Sequence, residues 1–582
     1  MRKTAGKLKS ALRRYWKRLI YIGCFFMFCV IDQRTKTCSG LDGLREMFRN
    51  LAGTAVAVLT LVRFRRQDFR SHPRPYRIWG LLWLAGAAAA LVWGIGNRPF
   101  LNEWAVTVCN VGLYGVILIR TGLALWGERR AGERLRAVLA RKPGAGTLFR
   151  QKPSSVELRR ILWLFMVLWM VFSRSDSLWP FCYLLMFGCF YLTDNTREDR
   201  EQFIHGMCEG ILLAFFAFWA FCLVFRPYDI ARYCGVYNNP NGNSLFYVMA
   251  LAAALCKLYF VIRKGYARWI RLSCYLLTGL VLAFLLLALG RAGWLAALVM
   301  VPATLALLNQ ALEERKFWKR GAALLLSVCL VFPVCFLTIR YVPPFFHHPV
   351  WFWGEWGEWR VHSWDPWDSE KFIDWKEYLD TLGGRIIVSI DSLFRRSPFL
   401  METWAGSWND GKPTDVLLPS DIKIDDYLVR KTIYAEYLKR LNWGGQKQSG
   451  FWLTESFYVY HAHDLYLQFG TDFGIPVLLL LPVLCFWSVA ACIKRLVQKD
   501  GEWLQDFMCL CVVAGISVFG IFEYCWGSAS LSMMLLFLNW RTVLTEPESI
   551  AEKDPGKLCA GSGTGELCVG SDTGTPRAGR ER

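Results

Sequence analysis

The sequence predicts an all-α polytopic membrane protein with about 12–14 transmembrane helices and one large extracytoplasmic loop. Three observations carry that prediction. The 582 residues are 54% hydrophobic and 15% aromatic, with 28 Trp, which excludes a disordered chain or an ordinary soluble domain. Apolar runs recur along nearly the whole chain, most of them about 17–22 residues long, enough for a helix to cross a hydrocarbon core of ~30 Å. Lys and Arg concentrate on alternate sides of those runs, the asymmetry of the positive-inside rule.

In chain order, spans are expected near 18–32, 49–64, 78–96, 103–126, 160–174, 177–193, 207–226, 243–263, 269–289, 292–310, 320–340, 472–494, 506–523 and 527–541. With the N-terminus inside, the basic blocks "MRKTAGKLKSALRRYWKR" and "RFRRQDFRSHPRPYR" fall on the cytoplasmic side. The net charge of +21 therefore reads as a determinant of orientation touching anionic lipid, with no nucleic-acid partner. The 20 Cys fall mostly inside apolar spans, as small hydrophobes, and 341–461 contains none, so no disulfide framework is encoded there. The first run reads as a retained start-transfer helix. The segmentation is 1–226, N-terminal helices; 227–340, central helices; 341–461, an extracytoplasmic Trp-rich helical loop; 462–544, C-terminal helices; and 545–582, a Gly/Ser/Thr-rich disordered cytoplasmic tail.

The loop opens with seven Trp between Trp351 and Trp375. Indole rings at that density suit an interfacial belt, and their flat faces also suit the apolar faces of sugars. "SEKFIDWKEYLDTL" spaces Phe372, Trp375, Leu379 and Leu382 as an amphipathic helix lying on the membrane. The stretch 415–442 also reads as mainly helical.

Four polar sites at span ends call for explanation, all on the extracytoplasmic side. In "LALGRAGWLAAL" (287–298), Arg291 sits in a hairpin of almost no length, flanked by Gly290 and Gly293, at a helix start whose free N–H groups favour anions. In "TLGGRIIVSI" (381–390), Arg385 follows two glycines, and a tight turn there would present its guanidinium to the membrane face. In "GVYNNPNGNSLFYVM" (235–249), Asn and Gly with Pro240 make a helix start, and Arg232 just upstream is a spare cation. In "YVYHAHDLYLQFGTDFGIP" (458–476), two of only seven histidines, His461 and His463, stand with Asp464 before an apolar span. A helix N-terminus disfavours a charged imidazole, so such a histidine is expected to be neutral and able to accept a proton. A metal site from these histidines with His347 and His348 is the less favoured alternative, and no metal or cofactor is expected. Two arginines suit a pyrophosphate, and a neutral histidine suits deprotonation of a hydroxyl.

With these residues in place, the sequence resembles the superfamily of O-antigen ligases and Wzy polymerases over roughly residues 230–500. The likeness rests on "RAGWL" at Arg291–Leu295, an R-x-x-x-L motif, and on "HDLYLQFGTDFGIPV" at His463–Val477. "GVYNNPN" resembles the family's NPN segment, and "GGRIIV" its outer-loop arginine. Asp464 stands where the family usually has Asn, which puts a charge beside His463, and Val477 replaces a small or polar residue.

The resemblance implies a GT-C-like, metal-independent, inverting glycosyltransferase of cell-envelope polysaccharide biosynthesis. It would act at the outer face of the bacterial cytoplasmic (inner) membrane. Its donor would be an oligosaccharide or polysaccharide on undecaprenyl pyrophosphate, its acceptor a glycan or glycolipid, its surroundings membrane lipid. Carried over residue by residue, Arg291 and Arg385 would bind the departing pyrophosphate and His463 would be the general base. Arg232, Asn239, Asn241, His461, Asp464 and Trp375 would be supporting contacts to pyrophosphate or sugar. A polysaccharide flippase is the alternative; it predicts internal repeats and broken helices near the midplane. An enzyme using a lipid monophosphate sugar would pair acids in its first outer loop, where Asp32, Asp42 and Glu46 are separated.

Overall fold

A computed structural model describes residues 2–32, 39–64, 66–95, 101–127, 155–177, 180–181, 183–184, 197–224, 228–229, 232–237, 239–346, 350–353, 359–363, 375–395, 426–447, 450–454, 457–498, 503–524 and 530–544. The expected span 177–193, the histidines His347 and His348, and the tail after residue 544 lie largely or wholly outside them.

Helices follow the apolar runs. Nine of the described helices are long and apolar enough to cross a membrane: Pro73–Val92, Ala105–Leu123, Arg200–Val224, Pro240–Arg263, Arg268–Leu287, Arg291–Leu312, Phe317–Tyr341, Ile475–Gln498 and Trp503–Gly520. The chain is a multi-pass, mainly helical membrane protein. Helices at Arg2–Asp32, Ser39–Leu61, Ser155–Phe172 and Leu531–Leu544 cover four further expected spans.

Burial sorts these helices. The Pro240–Arg263 helix has 89% of its apolar window buried, whereas Pro73–Val92 has none. The first is the axis of the bundle, packed by Arg197–Val224, Arg268–Leu287, Arg291–Leu312 and Trp503–Gly520. The second pairs with Leu101–Gly127 and turns Leu81, Leu82, Leu84 and Val92 outward, as a lipid-facing helix does. Close approach relies on small residues, because lipid offers apolar side chains no hydrophobic incentive to pair. A Cβ on Gly206 would lie 2.6 Å from the Tyr21 Cβ, and one on Gly210 2.7 Å from the Ile22 carbonyl oxygen, so Arg2–Asp32 can lie directly along Arg197–Val224.

Three features of the fold bear on the site. Gly383 and Gly384 do not turn the chain: a single helix, Trp375–Arg395, runs through them, and Arg385 lies within it. The expected span 472–494 is the helix Ile475–Gln498, and a short helix, Leu465–Phe473, leads into it and is separated from it at Gly474 with φ of 104°. The all-α class also carries three antiparallel hairpins, Tyr228–Asp229 with Arg232–Tyr233, Val350–Trp353 with Trp359–Ser363, and Phe451–Thr454 with Phe457–Val459. Aromatic-rich stretches such as "FWLT" and "FYV" fit a half-buried hairpin, with Phe451 and Leu453 buried and Trp452 exposed between them, a period of two that a search for helices passes over.

Candidate active site

The Phe451–Thr454 and Phe457–Val459 hairpin delivers the chain to His461. Its buried residues Phe451, Leu453 and Val459 pack with Ile433 and Tyr437 of the Asp426–Lys439 helix, and with Ala462 and Leu467, in a small core of their own. Ala462 is fully buried between the two histidines, and its N–H donates to Gln468 Oε1 at 2.8 Å. The strand-to-helix turn is thus fixed from both sides.

His463 itself adopts φ of 51°, a left-handed conformation that costs a non-glycine residue about 1–3 kcal/mol. Its carbonyl accepts from the Tyr434 hydroxyl at 3.3 Å. The next residue, Asp464, caps the Leu465–Phe473 helix, its carboxylate accepting from Leu467 N–H at 2.7 Å. Burial raises the Asp464 carboxyl to about 6. Asp464 therefore acts on the helix start through its side chain.

The imidazole of His463 is 28% exposed and its Nδ1 lies 2.7 Å from Oε1 of Glu523, a carboxylate only 7% exposed. Glu523 stands in the turn after the Trp503–Gly520 helix, where its N–H donates to the Phe519 carbonyl at 3.0 Å. Its Oε1 also accepts from Tyr524 N–H at 3.3 Å, and its Oε2 accepts from Asn241 Nδ2 at 2.7 Å. Asn241 in turn accepts at Oδ1 from Arg232 Nη2, at 2.8 Å. Arg232, expected to be a spare cation, is committed to this chain of bonds, and its Nε reaches the Ala288 carbonyl at 3.4 Å.

That last contact joins the chain to the hairpin before Arg291. The Arg268–Leu287 helix ends, Leu289 takes φ of 51°, Gly290 is the N-cap, and Arg291 is the first residue of Arg291–Leu312. No side chain caps this helix start. Gly290 and Gly293 have a packing reason: a Cβ on either would collide with Ser244 of the Pro240–Arg263 helix. Asn239 caps that neighbouring helix, accepting from Asn241 N–H at 2.8 Å, with Pro240 at the first helical position as expected.

The Trp375–Arg395 helix crosses the same end of the bundle. Tyr378, 2% exposed, donates its hydroxyl to the Leu286 carbonyl at 3.2 Å. Arg385 follows Tyr378 by two turns, on the same side of the helix and roughly 10 Å farther along its axis. Trp375 packs edge-on against Phe336 at 5.3 Å and Phe332 at 6.1 Å, an anchoring role for that ring.

Arg232, Asn241, His461 and His463 are thus brought together around Glu523, with the Arg291 hairpin tied to them. Asn239 and Asp464 serve as helix caps beside them. Glu523 is the residue that sequence reasoning missed. Its signal was a carboxylate closing the apolar run 506–523, which Asp506 opens, since acids held in spans are rarely idle.

His461 lies with its ring centroid 4.3 Å from that of His463 and 5.2 Å from that of Tyr524. His461, His463 and Glu523 each offer a ligand atom, all within 4.8 Å of one another, and this trio is the set able to hold a cation among the described residues. Chemically, the assembly offers an oriented imidazole backed by a carboxylate, beside a helix start headed by an arginine. Comparison with protein-family models, with curated proteins and with solved structures finds no match to this chain.

Proposed function

We propose that the chain is an inverting, metal-independent glycosyltransferase of the outer face of the bacterial cytoplasmic membrane, a ligase or polymerase of glycans carried on undecaprenyl pyrophosphate. The observation that carries this reading is the His463–Glu523 pair, buried at one side and open at the other, bonded through Asn241 and Arg232 to the Arg291 hairpin. In this reading the fold is GT-C-like with about 12–14 spans, and 341–461 is the outward loop above the site. Both termini are cytoplasmic, as the Lys and Arg asymmetry requires.

The chemistry follows from the groups. The acceptor hydroxyl gives its proton to His463 as its oxygen bonds to the anomeric carbon, while the bond from that carbon to the pyrophosphate oxygen breaks on the opposite face. Arg291, whose planar guanidinium matches phosphate oxygens in pairs, stabilises the departing charge together with Arg385. The test is turnover of an undecaprenyl-pyrophosphate-linked glycan by the purified chain, with identification of the glycan lost from the cell surface on deletion. Labelling of 341–461 from the cytoplasmic side only would overturn this reading.

The trio His461, His463 and Glu523 favours one rival, in which a divalent cation activates the acceptor. A chelator separates the two: it leaves turnover intact in the metal-independent reading and abolishes it in the other.

A further inference from the structure

We infer that Glu523 is the positioning carboxylate of His463: it fixes the ring hydrogen on Nδ1 and turns Nε2 toward the acceptor, with Asn241 and Arg232 holding Glu523 in place. This rests on the proposed role of His463 as base.

The geometry leaves Glu523 little choice of role. Its Oε1 accepts from the Tyr524 N–H and its Oε2 from the Asn241 amide, so donors already meet both oxygens, and His463 Nδ1 lies 2.7 Å from Oε1, where an ionised carboxylate can only accept. A carboxylate this buried must be hydrogen-bonded to persist, and the Asn241 amide presents its donor side because Arg232 occupies its acceptor side. The order of donors and acceptors along Arg232, Asn241, Glu523 and His463 is therefore set from the cationic end. At the last link the imidazole must donate, which puts its hydrogen on Nδ1. A neutral ring then has its lone pair on Nε2, the nitrogen a base uses.

The backbone that carries the ring is fixed as well. The left-handed backbone at His463 is held by the Tyr434 hydroxyl on its carbonyl and by the Asp464 cap that follows. Other groups facing the ring are His461 and, beyond it, Tyr524; the Asp464 carboxylate is engaged with Leu467 N–H. The four members of the chain of bonds come from three separate parts of the sequence. Arg232 lies just upstream of the NPN segment and Asn241 is its last residue, His463 precedes the C-terminal spans, and Glu523 ends one of them. That separation is why no local motif announces the chain of bonds.

The first arm of the test needs no substrate. With ¹⁵N-labelled histidine in the full chain, the His463 ring signals are identified by their disappearance in His463→Ala and followed across pH until the ring is neutral. The expected wild-type ring has its hydrogen on Nδ1, and Glu523→Ala moves it to Nε2. A wild-type ring with its hydrogen on Nε2, or a ring unchanged in Glu523→Ala, overturns the inference. The second arm uses turnover and binding of an undecaprenyl-pyrophosphate-linked glycan. Glu523→Gln sets an amide N–H against either Asn241 or His463, and turnover should fall about 10–100-fold with donor binding unchanged. Adding Asn241→Asp lets the amide introduced by Glu523→Gln donate to the new carboxylate and accept from the ring, so the double variant should recover at least tenfold of that loss. Wild-type turnover in Glu523→Gln, or loss of donor binding in proportion to rate, overturns the inference. Wild-type turnover in His463→Ala strikes instead at the base reading and leaves the tautomer result standing.

Discussion

Two carboxylates, Glu523 and Glu209, sit at opposite ends of the same bundle, and their partners differ. Glu209, near the middle of Arg197–Val224, accepts from Arg18 Nε at 2.6 Å and from the second Arg18 nitrogen, and also from Lys257 Nζ at 2.6 Å. Two full cations meet one anion there, and Lys257 also touches His205 Nδ1 at 3.4 Å. Glu523 accepts instead from an amide, a backbone N–H and an imidazole, with Arg232 one link farther along. Lys257 and Asn241 share the Pro240–Arg263 helix, 16 residues apart, or about 24 Å along its axis. The Glu209 cluster is a clamp that ties three helices together. The Glu523 cluster uses its carboxylate to orient a ring that remains partly exposed. The difference lies in the partners: two cations neutralise the acid at one end, whereas an amide, a backbone N–H and an imidazole surround it at the other.

The largest way to break this comparison is His463→Ala. Loss of a general base lowers turnover roughly 10²–10⁴-fold, and donor binding should be nearly unchanged because the arginines supply it. His205→Ala, at the clamp end, should leave turnover per folded molecule near wild type. The comparison fails if both variants lose rate equally, measured as single-turnover transfer on purified protein. Next in size is Arg291→Lys. The charge persists but the planar fork is lost, so turnover should fall roughly tenfold to a hundredfold at normal expression. Full activity in Arg291→Ala would leave Arg291 only a role at the lipid boundary.

The clamp makes the opposite prediction. Glu209→Gln leaves Arg18 and Lys257 facing each other across a neutral amide. With the three side chains 17–29% exposed, the expected loss is about 1–2 kcal/mol of stability. Thermal unfolding in detergent reads this effect, and turnover of the protein that remains folded should be preserved. A turnover defect without loss of stability would place Glu209 in the chemistry after all.

This contrast also shows what was legible in the sequence. Hydrophobic runs located the long helices because a membrane span announces itself in composition alone. Pro240 after Asn239, and Gly290 before Arg291, marked helix starts that the fold bears out, because caps are local. Gly383 and Gly384 misled, since two glycines permit a turn without requiring one, and flanking helix formers carried the helix through. Arg232 looked spare and Glu523 went unremarked for one shared reason. Their partners lie 9 to 282 residues away, and no periodicity encodes a hydrogen bond between distant segments.

The smallest effect concerns Asp464, and it tests whether a charge beside the ring matters to the site or only to the fold. The carboxylate caps the Leu465–Phe473 helix and burial raises it to about 6, above the value of about 4 that an unfolded chain would show. The sign follows from linkage. Between about pH 4 and pH 6 the folded state holds the proton that the unfolded state has released, so stability falls as pH rises through that window and levels off above it. Asp464→Asn keeps an oxygen to accept from Leu467 N–H and removes the ionisation. Its stability should therefore lose the slope between pH 4 and 6 and match or exceed wild type by on the order of 1 kcal/mol at pH 7. Turnover should stay within a few-fold of wild type, because the ring is oriented by Glu523 and not by its neighbour in sequence. Unfolding midpoints across pH, beside turnover at pH 7, provide the check. An unchanged slope would remove Asp464 as its source, and a rate loss as large as that of Glu523→Gln would mean that the Asp464 charge, rather than its cap, acts on His463.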